Sequence, residues 1–127
     1  MAQVVLDSSV LIALLAPTDV HHLAAVAATS GKNEYLISAV TLSEALIAPF
    51  KRGVREGQEL LQVIKKSINQ IIDVDEKIAT AGAQIRAEKN LTLPDALISA
   101  TATKVKAQLW TFDVGLANSH KGAVLIS

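Results

Sequence analysis

Short apolar runs alternate with helix-like patterns along this chain, and this alternation constrains its fold more than any other feature. The stretches between the runs carry apolar residues at the three- and four-residue spacing of amphipathic helices. Strands that are separated by helices form a parallel sheet covered on both faces. The sequence therefore predicts an α/β fold with about five parallel strands. The strand-length runs are Val4–Leu6, Tyr35–Ile37, Ile71–Val74, Leu109–Phe112 and Val124–Ile126.

Length and composition narrow the class of protein. A chain of 127 residues is expected to form a single domain, residues 1–127. The absence of cysteine excludes disulfides, thiolate metal sites and cysteine nucleophiles. No apolar run is long enough to cross a bilayer and no basic signal-peptide region precedes the first one, so we expect a soluble, cytoplasmic protein. A net charge of zero argues against general polyanion binding but leaves a local basic patch open.

Acidic residues stand beside apolar segments at four places. Asp7 directly follows the first run and Asp113 the fourth, while Glu44 and Asp95 lie near predicted helix starts. Each has a local structural explanation: Asp7 as an N-cap, Glu44 in a capping box that begins at Thr41, Asp95 in a first helical turn, and Asp113 in a turn. Taken singly, each acid is better explained in this way.

Taken together, the acids favour a metal site. Ligands bind beyond the carboxyl ends of the strands in open parallel sheets, so Asp7 and Asp113 meet there if the first and fourth strands are neighbours. Asp95 opens the helix that leads into the fourth strand, and the rotation of that helix decides whether Asp95 joins them. Converging buried carboxylates need a counter-charge, and oxygen ligands suit Mg²⁺ or Mn²⁺. Such ions promote phosphodiester hydrolysis.

No competing catalytic apparatus is visible in the sequence. It contains no G-x-S-x-G elbow, P-loop or G-x-G-x-x-G motif. The three histidines, His21, His22 and His120, fall in segments that we expect at the surface. Aromatic residues that could stack on bases are nearly absent, so recognition of a nucleic acid is expected to depend on its shape and backbone.

The four acids lie in segments whose order along the chain resembles the PIN-domain ribonucleases. These segments are VVLDSSVLIALL, TLSEAL, LTLPDALISATA and LWTFD. The chain looks most like the VapC-type toxins of prokaryotic toxin–antitoxin pairs, and the resemblance covers essentially its whole length. It implies a three-layer α/β/α sandwich around a parallel sheet of about five strands. It also implies cleavage of RNA by metal-activated water, a cognate antitoxin that blocks the site, and a homodimer.

The resemblance also assigns roles to individual residues. The family's acidic residues carry over onto four positions, which would form a Mg²⁺ or Mn²⁺ site. Two polar positions would orient ligands or water from a second layer. The four acids are Asp7, Glu44, Asp95 and Asp113, and the two polar residues are Ser9 and Thr111.

The chain departs from the family pattern just beyond the last acid. Many relatives carry a further acidic or amide residue there, whereas Val114–Leu116 follow Asp113 in this chain. Asn118 is the nearest candidate for that role. The number of metal ions, one or two, therefore stays open.

Three basic residues form the densest positive cluster, near the end of the helix that Glu44 is predicted to open. They are Lys51, Arg52 and Arg55. In one interpretation they contact RNA phosphates at the rim of the acidic site. In the other they belong to a solvated helix end, where positive charge is favourable.

Two alternatives to a ribonuclease use other features of the sequence. A phosphatase or phospho-acceptor receiver also has an aspartate after its first strand. The phosphatase pattern needs a second carboxylate where Ser9 stands, and the receiver pattern can use Asp73 or Asp75 but leaves Glu44 and Asp95 without a role. The other alternative is a non-catalytic binding domain, against which the presence of all four acids argues.

Overall fold

A computed structural model describes all 127 residues of the chain. Its five strands pair in parallel to form one sheet, in agreement with the predicted fold class. The strands lie within two residues of the predicted runs. They are β1 (Gln3–Leu6), β2 (Glu34–Ser38), β3 (Gln70–Ile72), β4 (Gln108–Thr111) and β5 (Ala123–Leu125).

Seven helices connect these strands. Five of the seven begin at a residue whose side chain accepts a hydrogen bond from the backbone of the first turn. Such caps satisfy amide groups that have no partner inside the helix. No helix is both long and apolar enough to cross a membrane. The helices are α1 (Ser8–Leu15), α2 (His22–Ala28), α3 (Ala39–Arg52), α4 (Val54–Ser67), α5 (Glu76–Glu88), α6 (Leu93–Val105) and α7 (Val114–Ser119).

Helices cover both faces of the sheet, which confirms the three-layer α/β/α arrangement. Successive strand residues point to opposite faces, so Val4 and Leu6 pack into one core and Val5 into the other. The first core receives buried residues from α1 to α4, and the second receives them from α6 and α7. Helix α5 packs on α6 so closely that a Cβ on Gly82 would lie 2.5 Å from the Leu97 side chain.

The order of the strands is β3-β2-β1-β4-β5. The chain moves outward from β1 to β3 and then crosses back to place β4 on the other side of β1. The order therefore reverses between β1 and β4, which is where open parallel sheets bind ligands. The condition stated for Asp7 and Asp113 is met, because β1 and β4 are neighbours.

The capping box predicted to begin at Thr41 is wrong. Helix α3 begins two residues earlier, at Ala39, and the Ser38 hydroxyl caps it by accepting a hydrogen bond from the backbone N–H of Val40 at 3.1 Å. Ser38 is also the last residue of β2, so the strand runs into the helix without a loop. Glu44 therefore lies inside α3 and does not open it.

Candidate metal centre

Asp7 sits at the turn between β1 and α1 with both carboxylate oxygens engaged. It is 3% exposed, and its Oδ1 accepts hydrogen bonds from the Val10 backbone N–H at 3.0 Å and from the Ser9 hydroxyl at 2.6 Å. Its Oδ2 accepts a hydrogen bond from the Thr111 hydroxyl. The predicted cap is confirmed, but the cap uses only one of the three donors. The carboxylate is consequently held in a single orientation.

The same two hydroxyls join the end of β1 to the end of β4. The Ser9 hydroxyl accepts a hydrogen bond from the Phe112 backbone N–H at 3.1 Å. The Thr111 hydroxyl accepts one from the Asp113 backbone N–H at 2.9 Å. Each hydroxyl thus bridges Asp7 to the segment that carries Asp113. Asp113 itself is exposed and caps α7, where it accepts a hydrogen bond from the Gly115 N–H at 2.8 Å.

Two further acids reach this edge from helices. Asp95 is half-buried in the first turn of α6, and its backbone N–H donates to the Thr92 hydroxyl at 3.3 Å. Glu44 projects from α3 and accepts a hydrogen bond from the Ser8 hydroxyl at 2.5 Å. Ser8 is not among the predicted site residues, although its place directly after Asp7 is a signal that it lies at the same edge. Ser8 links Glu44 to the start of α1.

Two of the four acids, Asp7 and Asp95, have raised pKa values. Burial raises the pKa of Asp7; hydrogen bonds from Ser9, Thr111 and Val10 oppose the rise, and the charge of Asp113 adds to it.

Asp95 responds to the other three acids as well as to its own burial. Burial is the largest cause that raises the pKa of Asp95, followed by the charge of Asp113. The charges of Asp7 and Glu44 raise it further, and a hydrogen bond with Thr92 opposes the rise. The charges of the other three acids thus act on Asp95, whereas only the charge of Asp113 acts on Asp7.

No cation balances these acids. The chain contains two ion pairs, Arg55 with Glu59 and Lys104 with Asp75, and neither involves the four acids. No three acidic or histidine side chains are close enough together to form a complete metal-binding group. Mg²⁺ is commonly bound through one or two carboxylates and retains several waters, so a closed set of three is not required. Oriented carboxylates without a cationic partner are a donor set that fits such an ion.

The other predicted site residues divide into two groups. Ser9 and Thr111 contact Asp7, as described above. Asn118 is exposed on α7 and makes no side-chain hydrogen bond to any of the acids. Its proposed contribution has no support in the observed contacts.

The basic cluster is less compact than its sequence spacing indicated. Lys51 and Arg52 occupy the last turn of α3, whereas Arg55 belongs to α4. Both Arg55 and its partner Glu59 are exposed, and the guanidinium Nε lies 2.9 Å from the carboxylate. Lys51 lies two helical turns from Glu44, roughly 10 Å along the helix axis. None of the three basic residues forms an ion pair with the four acids.

His21 lies at the surface as predicted, whereas His22 and His120 are less exposed than predicted. His21 is exposed, and its ring stacks on Phe112. His22 is partly buried, with Nδ1 2.7 Å from the carbonyl oxygen of Ala13. His120 is also partly buried, and its Nδ1 lies 2.6 Å from the Ser99 hydroxyl. Burial lowers the pKa of His120, and the nearby charge of Lys89 adds to the decrease.

The sequence profile of the PIN domain matches residues 4–120. The chain belongs to the PIN domain family. None of the curated protein sequences matches it significantly. The predicted resemblance to PIN-domain toxins is confirmed by this match and by the similar solved structures.

Three of these solved structures show how closely the fold agrees. A toxin–antitoxin complex from Klebsiella pneumoniae contains a chain with 25% sequence identity, a TM-score of 0.79 and 95% coverage of both chains. FitAcB from Neisseria gonorrhoeae has 24% identity, a TM-score of 0.73 and 96% coverage of both. VapC20 from Mycobacterium tuberculosis, described as a sarcin–ricin loop cleaving toxin, has 19% identity and a TM-score of 0.75, with 91% of this chain and 94% of that chain covered.

Proposed function

We propose that this chain is a metal-dependent endoribonuclease that hydrolyses RNA phosphodiester bonds, with residues 1–127 acting as one nuclease domain. The observation that carries the proposal is the environment of Asp7. Both of its oxygens are held by neutral hydroxyl groups, it is buried, and no cation pairs with it. A buried, ionised carboxylate with no cationic partner destabilises the folded chain unless a cation binds to it. Membership of the PIN family supports the same conclusion.

The chain's own residues have separable tasks in this proposal. Asp7, Asp95 and Asp113 would supply one or two carboxylates at a time to Mg²⁺ or Mn²⁺, with water as the remaining ligands, and Glu44 would complete the negative edge. A bound divalent ion supplies charge stabilisation for the phosphate and lowers the pKa of a water molecule. Ser9 and Thr111 hold the Asp7 carboxylate in one orientation, so it is already positioned when the ion binds.

The proposed biological setting is a toxin–antitoxin pair in the cytoplasm. Support comes from similar structures that are toxin–antitoxin complexes, including the one from Klebsiella pneumoniae. We infer an antitoxin that covers the acidic edge, and a homodimer of the toxin. Lys51 and Arg52 are proposed to contact RNA phosphates. Arg55 is the weakest member of that group, because Glu59 already engages its guanidinium.

An RNA cleavage assay with an acid variant and a matched acid control tests the proposal. Wild-type protein should cleave RNA in Mg²⁺ or Mn²⁺ and not in EDTA. Asp95→Asn should cleave at least about a hundredfold more slowly, since even an outer residue of a metal site contributes 10- to 100-fold. Asp73→Asn changes an exposed acid that follows β3, two strands from β1, and whose charge is not among those that shift the pKa of Asp7 or Asp95, so it should retain wild-type activity.

The same assay separates the proposal from its alternative, a non-catalytic PIN domain. All proteins must be purified in parallel, because contaminating nucleases would appear equally in every preparation. Equal cleavage by wild type and Asp95→Asn, or cleavage that persists in EDTA, would reject the nuclease. Absence of cleavage in any metal would favour the non-catalytic domain.

A further inference from the structure

An aromatic pair lies beside the acidic edge and has no part in the proposed metal chemistry. The rings of His21 and Phe112 are stacked, with centroids 4.3 Å apart and an interplanar angle of 13°. Phe112 is partly buried and packs against the first core, whereas His21 is exposed. The pair therefore has a fixed inner ring and an outer ring with surface open to solvent.

Local hydrogen bonds hold the outer ring in place. The backbone N–H of His21 donates to the Asp19 carboxylate at 2.8 Å, and that of His22 donates to the Asp19 carbonyl at 3.0 Å. The next imidazole, of His22, is anchored 2.7 Å from the carbonyl oxygen of Ala13 in α1. The turn before α2 is thus hydrogen-bonded to α1. His21 is therefore already ordered before a ligand stacks on it.

The backbone of Phe112, which carries the inner ring, is hydrogen-bonded to a residue of the acidic edge. The Phe112 backbone N–H donates to the Ser9 hydroxyl at 3.1 Å, and that hydroxyl donates to Asp7 at 2.6 Å. Phe112 also immediately precedes Asp113 in the chain. Two hydrogen bonds therefore separate the aromatic pair from the buried acid of the candidate site.

We propose that the His21–Phe112 pair is a stacking platform for an unpaired base of the RNA, next to the phosphodiester that is cleaved. Flat rings of this kind bind bases through their faces, and only an unpaired base exposes its face. The platform therefore requires that the base beside the cleaved bond is unpaired, and a fully duplex RNA cannot engage it. This inference rests on the proposed nuclease function and assigns one stacking platform to a chain in which such aromatic residues are nearly absent.

Binding of a single-stranded oligoribonucleotide containing 2-aminopurine tests the platform. We would measure the dissociation constant in Mg²⁺ with Asp95→Asn as the background, so that the RNA stays intact. Adding His21→Ala should weaken binding about tenfold, within the range measured for loss of base–aromatic stacking. The 2-aminopurine fluorescence, quenched when the base stacks, should also recover.

Two further variants, one at His21 and one at a neighbouring position, separate stacking from other effects. His21→Phe keeps a flat ring and should bind within about twofold of the background protein. Leu23→Ala, on the same segment with a side chain 81% exposed, is the matched control and should change nothing. The salt dependence of binding should be the same for all variants, because stacking involves no phosphate contact. A melting temperature for each variant identifies any loss of folding.

The remaining outcomes decide between this inference and the nuclease proposal. Unchanged binding by His21→Ala, or an equal loss of affinity for fully duplex RNA, would overturn the platform. So would an absence of RNA binding by every protein. Cleavage that depends on Asp95 together with normal binding by His21→Ala would leave the nuclease intact and remove only the platform. Binding that depends on His21 in a protein that never cleaves RNA would support the platform and reject the nuclease.

Discussion

Two aspartates, Asp7 and Asp75, begin helices in the same way and have opposite electrostatic properties. Asp7 caps α1 by accepting a hydrogen bond from the N–H three residues later, at 3.0 Å. Asp75 caps α5 with the same spacing, at 2.8 Å. The pKa of Asp7 is raised, chiefly by burial, whereas a hydrogen bond from Lys104 is the main cause that lowers the pKa of Asp75.

The difference lies in what each carboxylate meets beyond its cap. Asp75 is exposed and pairs with the ammonium group of Lys104. Asp7 is buried, accepts hydrogen bonds only from neutral groups and lies near other acids. A capping position is therefore compatible with either a structural or a functional role. The feature that distinguishes Asp7, the proposed metal ligand, from Asp75 is burial without a cationic partner.

Paired substitution gives the largest expected contrast between the two caps. Asn caps helices about as well as Asp, so Asp7→Asn and Asp75→Asn should both fold. Asp7→Asn should lower the rate of RNA cleavage at least about a hundredfold, while Asp75→Asn should leave it unchanged. The measurement is the initial cleavage rate at saturating Mg²⁺. Similar losses in both variants would mean that capping, and not metal binding, explains Asp7.

Metal-dependent stability should distinguish the same two residues by a smaller effect. An ion that binds only the folded chain, at ten times its dissociation constant, adds about 1.4 kcal/mol to the free energy of unfolding. For a chain of this length that is an increase in melting temperature of roughly 5 °C. Wild type and Asp75→Asn should both show this shift with Mn²⁺. Asp7→Asn should lose most of it, and a full shift in Asp7→Asn would place the ion elsewhere.

The pH dependence of stability should show the smallest difference and has opposite signs at the two sites. A raised folded-state pKa means that the folded chain binds protons more tightly than the unfolded chain. For Asp7 and Asp95, the free energy of unfolding should therefore fall as the pH rises from the ordinary value of 3.8 through the raised pKa. For Asp75, stability should be lost as the pH falls through its lowered pKa.

Urea unfolding in EDTA at a series of pH values measures both effects. Compared with wild type, Asp95→Asn should show a shallower fall in stability above pH 3.8 and greater stability at neutral pH. Asp75→Asn should differ in pH dependence only at the acidic end. Identical profiles for wild type and Asp95→Asn would mean that the acids do not repel one another, and a less stable Asp95→Asn would favour the helix-capping explanation.

Much of the fold could be predicted because its determinants are local. Each strand is a short apolar run, and residues such as Val4 and Val5 are buried on opposite faces, as the period of a strand requires. The start of α3 could not be predicted in the same way. Two hydroxyl-bearing residues, Ser38 and Thr41, could both serve as a cap, and the length of β2 decides between them.

The site was predictable only as far as the strand order was known. Asp7 and Asp113 could be placed together on the condition that β1 and β4 are neighbours, and the structure meets that condition. The contacts between distant segments could not be predicted, because no sequence pattern indicates them. The Ser8 hydroxyl donates to Glu44, 36 residues away, and His21 meets Phe112 through a turn whose direction no periodicity predicts.

The hydrogen bond between Asp7 and Thr111 joins residues 104 positions apart. The second residue lies in β4, which the ribosome produces long after β1, β2 and β3. A nascent chain that ends before residue 111 already contains Asp7, Glu44 and Asp95 but has no partner for one oxygen of Asp7. The order of synthesis thus delays assembly of the acidic edge until β4 has been made, so Asp7 completes its set of hydrogen bonds only after the other strands that flank it exist.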